Sequence, residues 1–273
     1  MILKNLIYGI VSGMSEFLPV SSLGHQSLLR VLFGVSARDP LLDLCVHIAL
    51  LAAVLFSCRN TLDAYKKDYM MLSRRGRTRR SAAGISRTYE LRMLLTATIP
   101  MLAIMIIFSN RNDVHLLWLG VSFIINGVIL FVPDYLMQSN KDAGKMAGID
   151  GILAGVFYGL SVIPGISAIG SGLSVTIARG ADKTHAYNWM LLLTIPAAVI
   201  LCFFDLIAVF SSAGLAVTFL TILSYLLAMI GAFVAACFAI MLMRFLMHHI
   251  GNSGFAYYSW GIAMLIFMLY LIS

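Results

Sequence analysis

The sequence carries very little charge. Only 11% of its 273 residues are Asp, Glu, Lys or Arg, whereas a soluble domain of this length carries about a quarter. Hydrophobic residues make up 60%. So few polar side chains cannot cover the surface of a water-soluble globule. The composition therefore predicts an integral membrane protein.

Other absences narrow the class. The four cysteines contain no CxxC pair, which argues against a metal or disulfide framework. The short alternating segments of an outer-membrane barrel are missing, and the apolar runs are long, so we predict an all-α membrane protein. The first apolar run has no small-residue cleavage pattern, and we expect no cleavable signal peptide.

The positive charge is concentrated in one polar segment, residues 59–90, which holds nine Lys and Arg residues. The excess of Lys and Arg in a short loop predicts a cytoplasmic location. We interpret this charge as a topology signal beside anionic lipid and not as a nucleic-acid site. Counting spans from this loop places both chain termini outside.

Six stretches are apolar and long enough to cross about 30 Å of hydrocarbon. They are roughly 40–58, 91–109, 114–137, 185–209, 216–244 and 254–272. We expect an outside turn at Asn110–Asp113 and a cytoplasmic linker at Gln138–Lys145.

Two further apolar stretches are interrupted. Residues 2–35 break at Pro19 and Gly24, and residues 147–180 break at Pro164-Gly165 and Gly170–Gly172. Proline and glycine end or weaken helices, and the arms on either side are too short to span a bilayer. We therefore predict two re-entrant helical hairpins with tips buried in protein.

The two hairpins form an internal repeat at a shift of 146 residues. This register aligns four pairs of small residues: Gly9 with Gly155, Gly13 with Gly159, Ser15 with Ser161 and Ser21 with Ser167. Three spans follow each hairpin, and because three is odd, the second hairpin enters from the opposite side. We predict one membrane domain, 1–273, built as an inverted repeat of about 1–137 and 147–273, with a binding site where the tips meet.

The first break places Glu16, Ser21, Ser22 and His25 in an apolar environment, where polar groups usually mark function. Glu16 is one of two glutamates in the chain and has the chemistry of a general base, a metal ligand or a proton carrier. His25 can exchange a proton or attack phosphorus. Ser21 and Ser22 either take part in the chemistry or replace backbone hydrogen bonds lost at the break.

Other polar residues lie in the spans. Asp43 and His47 are four residues apart on one helix face, so they either pair or support the pocket from behind. Asp205 and Asn126 are isolated, and we interpret them as packing residues. Backbone N–H groups at the two breaks suit an anionic group such as phosphate.

The stretch Glu16–His25, Glu-Phe-Leu-Pro-Val-Ser-Ser-Leu-Gly-His, resembles the first signature of the undecaprenyl-diphosphate phosphatases, the bacitracin-resistance protein family. Pro164–Ser167 followed by Gly170 resembles the second signature, Pro-Gly-x-Ser-Arg-Ser-Gly, and Phe255–Tyr258 resembles a late Phe-x-x-Tyr-Arg element. The resemblance covers the whole chain. It implies hydrolysis of undecaprenyl diphosphate at the outer face of the membrane, which recycles the lipid carrier for cell-wall synthesis.

The resemblance also implies residue roles. Glu16 would be an acid/base or metal-associated carboxylate, and Ser22 and His25 would be the nucleophile and its partner. The expected substrate-binding set is Ser21, Gly24, Gly165, Ser167, Gly170 and Ser171. A divalent cation, Mg²⁺ or Ca²⁺, is expected, with Glu16 as its ligand. The expected partners are a polyprenyl diphosphate lipid and the bilayer of the bacterial plasma membrane, without nucleic acid; a homodimer is left open.

Three positions depart from the family pattern. The usual acidic residue falls on Ser12, the arginine of the second signature on Ala168, and the late arginine on Ser259. Arginine is the natural bidentate clamp for a phosphate. Either another cation substitutes or catalysis is weakened; the nearest candidates in sequence are Arg30, Arg38, Arg179 and Lys183. The alternative function is a transporter or flippase of a polyprenyl phosphate or another amphipathic anion, without catalysis.

Overall fold

The computed structural model describes residues 1–35, 38–74, 82–108, 115–136, 148–211, 218–247, 249 and 251–272. Within these ranges the chain is almost entirely helical and contains no β-sheet. The helices are α1 (Ile2–Phe17), α2 (Ser22–Phe33), α3 (Pro40–Arg74), α4 (Ala82–Ile107), α5 (Leu116–Phe131), α6 (Gly148–Gly159), α7 (Ala168–Ala178), α8 (Lys183–Ser211), α9 (Phe219–Leu246) and α10 (Ser253–Ile272).

Six helices in the described part of the chain are long and apolar enough to cross a membrane. Their apolar spans are Pro40–Lys67, Glu90–Ile107, Leu116–Tyr135, Lys183–Ser211, Phe219–Leu246 and Ser253–Ile272. These spans confirm the predicted all-α, multi-pass membrane protein. The predicted turn at Asn110–Asp113 and linker at Gln138–Lys145 lie outside the described residues.

The basic segment 59–90 is not the loop that its polarity suggested. Helix α3 continues to Arg74 and α4 begins at Ala82. Lys and Arg are good helix formers, so a helix can continue after its side chains become too polar for hydrocarbon. Polarity marks where the chain leaves the bilayer, not where the helix ends. The predicted loop boundaries were therefore wrong.

The interruptions predicted at Pro19 and at Pro164-Gly165 are present, and each begins its second helix in the same way. The breaks predicted at Gly24 and Gly170–Gly172 were wrong, because these residues lie inside α2 and α7, where a helix tolerates glycine at a modest cost. Ser21 precedes α2, and its Oγ accepts a hydrogen bond from the Gly24 N–H. Ser167 precedes α7, and its Oγ accepts one from the Gly170 N–H. Serine is a favoured N-cap because its oxygen satisfies a backbone donor that the helix leaves unpaired. The local sequence thus fixes where each returning helix starts.

The two hairpin tips contact each other. Ser21 Oγ accepts a hydrogen bond of 3.0 Å from the Gly165 N–H. A Cβ on Gly24 would lie 2.9 Å from Gly165 N, and a Cβ on Gly170 would lie 2.8 Å from Pro19 Cβ. These glycines therefore allow an approach that a larger residue would prevent.

Equivalent helices of the proposed repeat make equivalent contacts. Helix α1 packs on α9, and its counterpart α6 packs on α4. A Cβ on Gly9 would lie 2.2 Å from the Ala228 carbonyl oxygen, and a Cβ on Gly155 would lie 2.0 Å from the Ala97 carbonyl oxygen. Small residues allow such close helix packing in membranes. The match supports the inverted repeat, which stays a prediction, as does the membrane depth of the hairpins.

Candidate active site

A cavity of about 40 Å³ lies beside the first hairpin tip, with room for a few water molecules. Its polar lining comes from Ser15, Glu16, Ser22, His47 and Ser161. Its apolar lining comes from Leu23, Met105, Val162, Ile166, Ala168, Leu201 and Phe204. Residues from both signatures therefore share one cavity.

Two helices begin at this cavity. Ser22 is the first residue of α2 and Ala168 is the first residue of α7, and both line the cavity. A helix N-terminus carries a partial positive charge and favours a bound anion. Glu16 reaches the same space from the last turn of α1. The arrangement combines a carboxylate and a hydroxyl with two helix ends that suit phosphate.

The predicted substrate-binding residues are placed mainly as framework. The N–H groups of Gly165 and Gly170 are hydrogen-bonded to Ser21 Oγ and Ser167 Oγ. The Ser171 hydroxyl lies 2.6 Å from the Ser167 carbonyl oxygen. Ser21 has a φ of 70°, a left-handed backbone conformation that costs free energy for a residue other than glycine. This strain lies one residue before Ser22.

His25 is buried next to the cavity but does not line it. Its Nδ1 lies 2.7 Å from the Ser21 carbonyl oxygen and its Nε2 lies 2.8 Å from the Tyr258 hydroxyl. The carbonyl can only accept, so Nδ1 carries the proton and Nε2 accepts from Tyr258. The first signature is thereby joined to α10.

His47 is a cavity residue that neither signature contains. Its Nδ1 is hydrogen-bonded to Asp205 of α8, and both side chains are almost fully buried. Asp43, the partner considered for His47 from helix spacing, instead pairs with Arg38 and Tyr8. The interpretation of Asp205 as isolated packing was therefore wrong. A charged residue in an apolar span requires a partner. The position of Asp205 in its span was therefore the sequence signal for this pair.

The four basic residues considered as substitutes for the missing arginine contact groups outside the cavity. Arg179 pairs with Asp150, Lys183 with Asp134, and Arg38 with Asp43. Arg30 donates to Ser27 at 3.2 Å. Among the residues that the structure describes, no Lys or Arg lines the cavity. None of the four replaces the missing arginine by direct contact with the cavity.

At two of the three positions that depart from the family pattern, the serine hydroxyl accepts a hydrogen bond from a neutral amide side chain. Ser12 Oγ accepts from Gln26 Nε2 at 3.1 Å, and the same nitrogen lies 3.4 Å from Ser22 Oγ. Ser259 Oγ accepts from Asn126 Nδ2 at 2.9 Å, while Asn126 Oδ1 accepts from the backbone N–H of the second signature's serine. Asn126 thus joins α5, α10 and the second hairpin.

Comparison with known proteins gives one consistent result. A family model described as "Bacitracin resistance protein BacA" matches residues 5–265. An undecaprenyl-diphosphatase from Carboxydothermus hydrogenoformans is 29% identical over 269 residues, which cover 97% of this chain and 95% of that protein. One from Desulfatibacillum aliphaticivorans is 30% identical over 205 residues, covering 72% and 74%. With a family match over nearly its whole length, the chain belongs to the bacitracin resistance protein BacA family.

Proposed function

We propose that this protein hydrolyses undecaprenyl diphosphate to undecaprenyl phosphate and phosphate. The observation that carries the proposal is the cavity in which Glu16 and Ser22 of the first signature meet the N-termini of α2 and α7. Relatives named undecaprenyl-diphosphatase align with nearly the full length of this chain. The comparisons do not favour the alternative of a transporter or flippase.

The mechanism uses Glu16 as the base of the cavity. Glu16 takes the proton from the attacking oxygen, either of water or of the Ser22 hydroxyl, and that oxygen forms a bond to the terminal phosphorus. The bond from this phosphorus to the bridging oxygen breaks, and undecaprenyl phosphate leaves. If Ser22 attacks, water then cleaves the phosphoserine and releases phosphate. The N-termini of α2 and α7 stabilise the negative charge on the phosphoryl oxygens.

His25 has a positioning role in this mechanism. Its ring joins the Ser21 carbonyl to Tyr258 and holds the tip on which Ser22 sits. Ser167 holds the start of α7 in the same way, through its bond to the Gly170 N–H. Both residues act on the reaction by fixing the helix ends that receive the phosphate groups.

A divalent cation fits the site when the substrate supplies part of its coordination. Within the described residues, no group of three or more His, Cys, Asp or Glu side chains could hold a metal ion by itself. Mg²⁺ commonly binds through one or two carboxylates together with substrate phosphates. Glu16 is the carboxylate that lines the cavity and would hold the ion. The ion would neutralise charge on the diphosphate.

The position of the cavity supports activity at the outer face of the bacterial plasma membrane. His47 lies seven residues from the start of α3 at Pro40, or about 10 Å along the helix. The basic segment begins at Arg59 within α3, after about 30 Å of apolar helix counted from Pro40. Met105 and Phe204 line the cavity near the corresponding ends of α4 and α8. With the basic segment in the cytoplasm, the cavity lies toward the outside. The oligomeric state, including a homodimer, stays open.

Phosphate release from purified protein tests the activity. With C55 diphosphate and Mg²⁺ or Ca²⁺, we expect wild type to release phosphate and Glu16→Gln to lose at least about 100-fold, because general-base catalysis contributes that much. Glu90→Gln, the same change at the other glutamate, should stay near wild type. Chelation by EDTA should stop release and added Mg²⁺ should restore it. Equal release from wild type and Glu16→Gln would refute the assignment.

A further inference from the structure

His47 faces the same cavity as the position from which the family arginine is missing. We propose that His47, held by Asp205, binds a phosphate group of the substrate and takes the place of the arginine that falls on Ala168. His47 belongs to neither signature, and the inference rests on the diphosphate site proposed above. Asp205 is a positioning residue, since it acts through His47.

The first step of the argument is shared space. Ala168 and His47 both line the cavity, one from α7 and the other from α3. Alanine at position 168 offers no charged group to a phosphate in this cavity. In the described part of the chain, no Lys or Arg enters this space, so His47 is the side chain in the lining that can carry positive charge. A diphosphate brought into a site with little water needs such a charge.

The second step is the orientation of the ring. Asp205 accepts the hydrogen bond from Nδ1, so the ring has a fixed direction. Nε2 is the remaining polar atom of the ring, and in the positive form it donates an N–H to a phosphate oxygen.

The third step is the support behind Asp205. The guanidinium of Arg38 lies 3.8 Å from Asp205 and also pairs with Asp43. Asp43 in turn accepts a hydrogen bond of 2.6 Å from the Tyr8 hydroxyl. These groups come from α1, α3, α8 and the segment before α3. Of the residues in this hydrogen-bonded network, His47 is the one that lines the cavity. The network therefore presents one preorganised donor group to the substrate.

A binding measurement tests this role of His47 separately from catalysis. Farnesyl diphosphate, a short polyprenyl diphosphate, is titrated calorimetrically into detergent-solubilised protein that carries Glu16→Gln, so that substrate is not consumed. Farnesol, which has the same chain and no phosphate, is the matched ligand. We expect His47→Ala to weaken farnesyl diphosphate binding by about tenfold or more, as for a lost hydrogen bond to a charged group, and to leave farnesol binding unchanged.

Two further variants make the test specific. Ala168→Arg in the His47→Ala background should recover most of the lost affinity, because it returns a cation to the same space. Asp205→Asn should weaken binding alone but add little once His47 is Ala, because residues that act as a unit are not additive. His185→Ala is the control, since His185 lies 3.9 Å from a carboxylate, that of Glu90, at a separate site. Melting temperatures check that each variant is folded.

The outcomes distinguish the two proposals. If His47→Ala unfolds, His47→Leu, which has similar volume and no N–H donor, is measured with Ala168→Arg instead. Unchanged farnesyl diphosphate affinity in folded His47 variants, or failure of Ala168→Arg to restore it, overturns the role of His47. If wild type releases no phosphate but binds farnesyl diphosphate through His47, the phosphatase assignment fails and the role of His47 stands.

Discussion

At the scale of single residues, Ser21 carries more structure than its size suggests. One oxygen caps α2 through the Gly24 N–H and also accepts from Gly165 of the other hairpin. Its backbone adopts a φ of 70°, and it is almost fully buried. Each of these hydrogen bonds satisfies a backbone N–H that would otherwise be buried without a partner. Ser21 therefore joins the two tips, and Ser22 beside it is left for the cavity.

Replacing this hydroxyl should destabilise the protein. Ser21→Ala removes a helix cap and leaves the buried Gly165 N–H unpaired, for a combined cost of about 2–4 kcal/mol. The measurement is the melting temperature in detergent. Ser211→Ala is the control, because Ser211 is exposed and bonds only a carbonyl of its own helix in the described contacts. A melting temperature equal to wild type for Ser21→Ala would contradict the joining role.

At the scale of helices, two of the close contacts lie where glycines face backbone carbonyl groups. The α1–α9 contact is set by Gly9 against Ala228, and the α4–α6 contact by Gly155 against Ala97. Backbone atoms cannot move aside as flexible side chains do, so an added methyl group must separate the two helices. The position of each hairpin thus depends on glycines that lie away from the cavity.

This packing predicts a position-dependent effect of alanine. Gly9→Ala and Gly155→Ala should each lower stability by about 1–3 kcal/mol through overpacking. Gly261→Ala should be neutral or stabilising, because no atom lies within 4 Å of its Cβ position and alanine is the better helix former. Unfolding in increasing SDS would give the order. Equal effects at all three positions would contradict the close approach.

At the scale of the whole molecule, the basic segment predicts an orientation for the six spans. The nine Lys and Arg residues of segment 59–90 begin at Arg59, within α3 and beyond the apolar part of that helix that holds His47. Under the positive-inside rule we expect this part of α3 to face the cytoplasm. Substrate with its diphosphate outside would then reach the cavity without crossing the membrane.

Labelling of intact cells tests this orientation. In a cysteine-free background, Thr218→Cys before α9 should react with a membrane-impermeant maleimide, whereas Arg77→Cys should react only after permeabilisation. Phosphate release by the cysteine-free protein would show that removing the four cysteines is tolerated. Reaction of Arg77→Cys in intact cells would reverse the topology and place the cavity toward the cytoplasm.

The sequence by itself determined the class, the six spans and the two breaks, because these depend on local properties: apolar length, proline, glycine and serine caps. It also determined the family, since Glu16–His25 is a contiguous motif. Polarity did not locate the end of α3, because a helix can continue beyond the bilayer.

Only the tertiary structure decided which polar groups meet. Glu16 and Ser22 share a cavity, His25 turns to Tyr258, and His47 pairs with Asp205, which is 158 residues away in the chain. Helix periodicity indicates which face a residue occupies but not which helix lies opposite. Close contacts at glycine set those neighbours, so the pairing of buried charges followed from packing between distant segments and could not be obtained from local sequence.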